Sequence, residues 1–149
     1  AVRITPFLKD VDALAEAGAD VVAVDATDRP RPVPVAGLID QTRLRGCLAM
    51  ADCAAEADGR QALSAGAQIL GSTMSGYTGG AVPVEPDYDL VAALARLRSF
   101  VVAEGRYHRP EQAARARTMG ADAVVVGSAI TRPEHVTAWF AEALQGARD

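Results

Sequence analysis

The sequence predicts an α/β fold built on a parallel sheet, and three observations carry that prediction. First, one order of residues recurs in EAGADVVAVDAT (residues 16–27), SAGAQILGST (residues 64–73) and TMGADAVVVGSA (residues 118–129). In each, a helix end passes into Gly-Ala-Asp or Gly-Ala-Gln, then an apolar run, then small or polar residues. Second, the apolar runs do not alternate with polar residues, which marks strands of a parallel sheet. Third, 50% of the 149 residues are hydrophobic but only 5% are aromatic, and Ala and Val dominate. That composition suits Val-rich strands alternating with Ala-rich helices.

Each element has a local cause. Thr5 and Pro6 supply an N-cap and a first-turn proline for a helix running to about Ala17. The glycine of each repeat suits the left-handed position that closes a helix. Two further strands, CLAMAD (residues 47–52) and FVVAE (residues 100–104), bring the expected count to five. Pro86-Asp87 opens the helix through DLVAALARLR, and Arg109-Pro110-Glu111 opens EQAARARTMG. Thr131 and Glu134 have capping-box spacing before HVTAWFAEAL, whose Trp139 and Phe140 form the expected packing face. Residues 1–149 are read as a single domain, too short for two comfortable ones.

Charge and cysteines exclude some classes of function. A net charge of −4 argues against nucleic acid as the main partner. It leaves room for an anionic small molecule, because a local site can be positive on an acidic protein. No apolar run reaches membrane-spanning length, and no leader peptide is visible. Cys47 and Cys53 lie about 20 Å apart if both belong to one strand. They are expected as buried, reduced thiols of a cytoplasmic protein.

The polar residues gather at one end of the strands. Asp25, Asp52, Ser72-Thr73, Glu104 and Gly127-Ser128 each follow or finish an apolar run. In a (βα) barrel or an open parallel sheet that edge binds ligands, so Glu104 is expected to face a shared pocket. Asp25 is either catalytic or a clamp on its own ATDRPRP loop, and Arg29 and Arg31 within it are either an anion clamp or solvated. Backbone N–H groups around Gly105 and Gly127-Ser128 suit phosphate, with Arg106 and Arg132 nearby. Residues 72–80, STMSGYTGG, have the composition of a lid or a sugar-contacting loop.

The motifs VVAVDATDRPRP, LAMADC, GSTMSGYT, VVAEGRYHRPEQA and VVVGSAITRPEHVTAWF together resemble the N-acetylmannosamine-6-phosphate 2-epimerase family over nearly the whole chain. The resemblance implies a TIM barrel that interconverts N-acetylmannosamine 6-phosphate and N-acetylglucosamine 6-phosphate, in sialic acid catabolism, with no redox cofactor and no metal. By the same resemblance Glu104 matches the catalytic glutamate and Asp52 a carboxylate that hydrogen-bonds the sugar. Asp25 and Arg29 match a strand-end pair, and Ser75, Tyr77 and Thr78 a substrate loop. Gly105, Gly127 and Ser128 match phosphate-binding backbone, with Arg132 as a phosphate partner.

The chain departs from the family in places. A TIM barrel has eight strands, and about five are legible here. The three absent strands would carry the family's catalytic lysine, whereas the only lysine present, Lys9, falls in the first helix. Ala54 and Ala55 replace polar residues, and Arg109 stands where the family has a Ser or Thr N-cap. The expectation is therefore the C-terminal five-eighths of a barrel, completed by a further N-terminal segment or by association into a homo-oligomer. The alternatives are a non-catalytic sugar-phosphate binder or another phosphate-binding barrel enzyme.

Overall fold

Five parallel strands lie side by side in the order in which the chain makes them: β1 (Val21–Asp25), β2 (Leu48–Asp52), β3 (Ile69–Gly71), β4 (Phe100–Glu104) and β5 (Ala123–Val125). The computed structural model describes residue 2 and residues 4–146. Helices α1 (Leu8–Glu16), α2 (Val35–Leu44), α3 (Glu56–Ser64), α4 (Tyr88–Ala95) and α5 (Pro110–Thr118) alternate with the strands, and α6 (Ser128–Thr131) and α7 (Pro133–Gly146) follow. A doubly wound sheet reverses its strand order at a switch point. This sheet never reverses, so it is an arc of a (βα) barrel and not an open sheet.

The outward side chains of the strands meet the helices. Val22, Val24, Leu70 and Val101 pack with Leu38 and Ile39 of α2 and Val91 and Leu94 of α4 in one buried cluster. Each such side chain contributes about 1.5–3 kcal/mol of hydrophobic stabilisation. Gly59 lets α3 approach closely: a Cβ there would sit 2.7 Å from Leu94 Cδ2.

The inward face is different. At its amino-terminal end Val21, Leu48 and Phe100 are 42%, 45% and 50% exposed, and at the carboxyl end of β5 Val125 is 43% exposed. In β1, β2 and β4 only the first residue is exposed, whereas β5 is partly exposed throughout; among the described residues no opposing strands cover the interior of this arc. Its two outer edges are also unequal. Beside β1, Ile4 O accepts from Asp25 N at 3.2 Å and Thr5 Oγ1 donates to Ala23 O at 2.7 Å.

That contact corrects the first helix boundary. Thr5 is spent on β1, so α1 begins at Leu8, and the Asp10 carboxylate accepts from Phe7 N at 3.1 Å. The glycines of the three repeats behave as predicted, with φ of 91° at Gly18, 97° at Gly66 and 103° at Gly120. The polar residue after each of the last two glycines has its own use. Gln68 Oε1 accepts from Ala49 N, and Asp122 Oδ2 accepts from Val101 N, pinning the start of the neighbouring strand.

Asp87 caps α4 as predicted, accepting from Leu90 N at 2.9 Å. Pro110 occupies the first turn of α5. Where Ala55 and Arg109 cannot cap, Asp58 and Gln112 reach back to the N–H groups of Ala54, Ala55, His108 and Arg109. The capping box expected of Thr131 and Glu134 does not form. Thr131 donates to Gly127 O within α6, and Glu134 pairs with Arg132. Phe140 is 70% exposed, so only Trp139 of the expected packing face finds a partner, the His108 ring at 4.5 Å. Cys47 and Cys53 flank β2, buried and unbridged.

Candidate active site

Strand register and the two-residue period of side chains decide which polar groups meet. Asp25 pairs with Asp52 across β1–β2, Asp52 with Gly71 across β2–β3, and Gly71 with Val102 across β3–β4. Asp25, Asp52, Gly71 and Glu104 therefore share the inward face at the carboxyl end of the sheet. The structure brings three carboxyl groups from three strands to one place.

Asp25 is fully buried and is held by its own loop. It accepts from Thr27 N at 3.0 Å and from Thr27 Oγ1 at 2.6 Å. Arg29 Nε lies 3.6 Å from Asp25 Oδ2, and Arg31 lies 3.6 Å from Oδ1. Arg31 also donates to the Asp25 and Thr27 carbonyls, and Arg29 Nε donates to Thr27 Oγ1 at 2.6 Å. Two guanidinium groups around one buried carboxylate supply the partner that burial demands. This arrangement is the loop clamp of the two readings open for Asp25, and it orders the DRPRP segment.

Asp52 has no such pair of cations. It is 2% exposed, and Thr73 Oγ1 donates to its Oδ1 at 2.6 Å. Burial pushes its carboxyl up to about 7; the negative charges of Glu104 and Asp25 add to the rise, and the Thr73 hydrogen bond offsets part of it. Gly71 makes room for this carboxylate, since a Cβ there would lie 2.6 Å from Asp52 Oδ1. Glu104 is half-buried, and burial raises its carboxyl while the nearby Thr73 side chain offsets part of the rise. Its backbone is fixed by Ser72, whose hydroxyl donates to Glu104 O at 2.9 Å and accepts from Glu104 N at 3.0 Å. Carboxyl groups held above their ordinary range can both give and take protons near neutrality.

The loop from β3 to α4 closes one side. Ser75 is buried, and its hydroxyl donates to Asp87 Oδ2 at 2.6 Å. Tyr77 and Thr78 lie exposed further along this loop. Arg106, after β4, donates to Ser75 O at 2.7 Å and to Glu85 O at 2.8 Å, tying the loop down at two points. Its charge is thereby committed to loop carbonyls.

Beside Glu104 a cleft opens between the turn after β4 and the start of α6. It is lined by Glu104, Gly105, Tyr107, Val125, Gly127 and Ser128 among others. Gly105, at φ 108°, makes the turn that a side chain would strain. Arg132 stands past α6 in an exposed pair with Glu134. Among the described residues, no group of three or more His, Cys, Asp and Glu side chains is arranged to hold a metal ion. No helix among them is long and apolar enough to cross a membrane.

Thr73 and Gly71 are site residues that residue type alone did not single out. Thr73 was visible at a strand end, but its hydrogen bond to Asp52 depends on the pairing of β2 with β3. For Gly71 the available cue was a glycine as the last residue of an apolar run, directly before Ser-Thr.

The family model described as "Putative N-acetylmannosamine-6-phosphate epimerase" matches residues 1–146. The chain belongs to that family. It is 57% identical over its whole length to a Haemophilus ducreyi protein named "Putative N-acetylmannosamine-6-phosphate 2-epimerase", and spans 65% of that relative. It is 63% identical to a Brucella melitensis "Bifunctional enzyme NanE/NanK" over 98% of this chain and 28% of that one. The solved N-acetylmannosamine-6-phosphate 2-epimerase from Clostridium perfringens superposes with a TM-score of 0.89 at 36% identity, covering 95% of this chain and 64% of that one. The chain thus spans less than two thirds of these epimerase relatives. Its five strands form an incomplete barrel within the family's fold.

Proposed function

We propose that this chain provides one acid/base half, and the phosphate seat, of a sugar-phosphate 2-epimerase. The reaction interconverts N-acetylmannosamine 6-phosphate and N-acetylglucosamine 6-phosphate by exchanging the proton at C2. The observation that carries the proposal is the pair of carboxyl groups, Asp52 and Glu104, raised by burial on one sheet face beside a glycine-lined cleft. The relatives' names supply the substrate class.

The C2 proton is acidic only in the open-chain aldehyde, where its removal leaves an enolate. Glu104 is the group that removes or returns that proton on one face of C2. Its raised affinity for a proton suits both directions, because a carboxylate of ordinary strength is a poor acid near neutral pH. Asp52, beside it, accepts hydrogen bonds from the sugar when ionised. Asp25 and Arg29 order the neighbouring loop, and Ser75, Tyr77 and Thr78 belong to the loop over the sugar. The phosphate lies against the backbone of Gly105, Gly127 and Ser128, with Arg132 at its rim. No redox cofactor is needed, since the substrate and product have the same oxidation state.

Inversion needs a second group on the opposite face of C2. The family resemblance assigns it to a lysine on a strand outside this chain. Lys9 does not substitute for it: it is exposed on α1, 5.4 Å above the Phe7 ring. The remaining strands, from a further segment or a second chain, cover Val21, Leu48, Phe100 and Val125 and bring that group in. The buried, reduced thiols of Cys47 and Cys53 suit a cytoplasmic setting.

The test is Glu104→Gln in the complete natural protein. C2 exchange into D2O is expected to fall about 10²–10⁴-fold, with phosphate binding measured by calorimetry nearly intact. Normal turnover by that variant would remove Glu104 from its assigned role.

A further inference from the structure

Residues 76–84 leave the body of the molecule and return to it through a narrow neck, and one side chain holds that neck together. We propose that Arg106 is a positioning residue that orders this segment in advance as a flap over the sugar, so that the substrate need not order it on binding. The inference deepens the epimerase proposal and rests on it for the identity of the substrate.

Several contacts build the neck. Arg106 Nη1 donates to Ser75 O at 2.7 Å and its Nε donates to Glu85 O at 2.8 Å, so one guanidinium spans both ends of the segment. The Ser75 hydroxyl, 3.4 Å from Arg106 Nη2, donates to Asp87 Oδ2 at 2.6 Å. Gly76 lies against the returning chain: a Cβ there would sit 2.6 Å from Pro83 Cδ and 3.3 Å from Arg106 Nη1. Gln112 of α5 holds the far side, its Nε2 donating to the Glu85 carboxylate at 2.8 Å. Beyond the neck the backbone has little else to hold it. Among the described residues, no backbone–backbone hydrogen bond reaches residues 78–84, and Val82 and Val84 are 49% and 80% exposed. A surface loop whose ends meet in this way is an Ω-loop, a form that commonly carries function.

Arg106 reaches the neck from a strained backbone. Its φ is 65°, directly after Gly105 at 108°, and the left-handed region is unfavourable for so large a side chain. Glu104 and Gly105 line the cleft, while the next guanidinium turns to the β3–α4 loop. Ser72 joins the same two segments in the opposite direction, through its hydroxyl and the backbone N–H and carbonyl of Glu104. The base of the flap is thereby fixed to the residue that handles the C2 proton and to a glycine of the phosphate seat. A segment that a ligand must order weakens the binding of that ligand. The arginine fork removes this disorder beforehand. A ligand too short to reach the flap gains nothing from it.

The experiment compares the parent with Arg106→Met, Arg106→Lys and Gly76→Ala in the complete natural protein. It measures amide hydrogen exchange across residues 76–84, turnover of N-acetylmannosamine 6-phosphate, and calorimetric binding of inorganic phosphate. Arg106→Met is expected to speed exchange in residues 76–84 and to raise KM about tenfold with kcat within about threefold, because ordering the flap then weakens ground and transition states alike. Its affinity for inorganic phosphate is expected to stay unchanged. Arg106→Lys is expected to resemble Arg106→Met, because an ammonium on a flexible stem lacks the planar fork. Gly76→Ala, which forces Pro83 from the neck with Arg106 intact, is expected to give the same pattern. Unchanged exchange and KM in Arg106→Met would overturn the inference. So would weakened phosphate binding that Arg106→Lys restores, which would make Arg106 a ligand of the phosphate itself. Faster exchange in a protein inert toward the sugar phosphate would leave the neck standing and sink the epimerase proposal instead.

Discussion

Replacing Asp52 by Asn isolates the cost of holding a charge at the end of β2. The carboxyl is raised from 3.8 to about 7, first by burial and then by the charges of Glu104 and Asp25. A raised carboxyl binds its proton more tightly folded than unfolded. Its contribution to stability is complete below pH 3.8 and is lost as pH rises through about 7. A shift of about three units corresponds to about 4 kcal/mol at full ionisation. Asparagine keeps the oxygen that accepts from Thr73, and it never ionises. Urea unfolding of the complete natural protein at about pH 4 and about pH 8 makes the comparison. The parent and the variant are expected to be near equal at the lower pH. At the higher pH the variant is expected to be more stable by up to about 4 kcal/mol. An equal difference at both pH values, or a variant less stable at the higher one, would refute the claim that burial sets this carboxyl.

Three further outcomes follow from single contacts. Gly71→Ala places a Cβ 2.6 Å from Asp52 Oδ1 and 2.6 Å from Met50 Cε, so it is expected to cost about 1–3 kcal/mol in urea unfolding and to lower kcat. Ser72→Ala leaves the backbone N–H and carbonyl of Glu104 without their shared hydroxyl, a loss of about 1–3 kcal/mol. Its kinetic signature is a fall in kcat larger than any change in KM. Asp87→Ala removes the α4 cap and the acceptor for Ser75, and is expected to cost about 1–2 kcal/mol and to speed amide exchange at Leu90.

The repeated helix-glycine-strand order made the parallel sheet legible, because a left-handed glycine and an unbroken apolar run are both local consequences of sequence. The gathering of Asp25, Asp52 and Glu104 at strand ends was legible for the same reason. What was not legible depended on contacts between distant residues. Thr5 has the right type and place for an N-cap, yet an open β1 edge competes for its hydroxyl and wins. Thr131 and Glu134 have capping-box spacing, but the short α6 and Arg132 use them instead. Phe140 and Trp139 look alike as apolar residues of one helix, and only the position of His108 separates them. Arg106 beside a glycine suggests an anion site, whereas its guanidinium is taken by carbonyls of the β3–α4 loop. The hydrogen bond from Thr73 to Asp52 required knowing that β2 and β3 are neighbours in register.

The most direct measurement is proton NMR of N-acetylmannosamine 6-phosphate in D2O with the complete natural protein. The account predicts loss of the C2 proton signal together with growth of the gluco epimer, deuterated at C2. An unchanged spectrum from folded protein, at substrate concentrations that saturate binding, would contradict it.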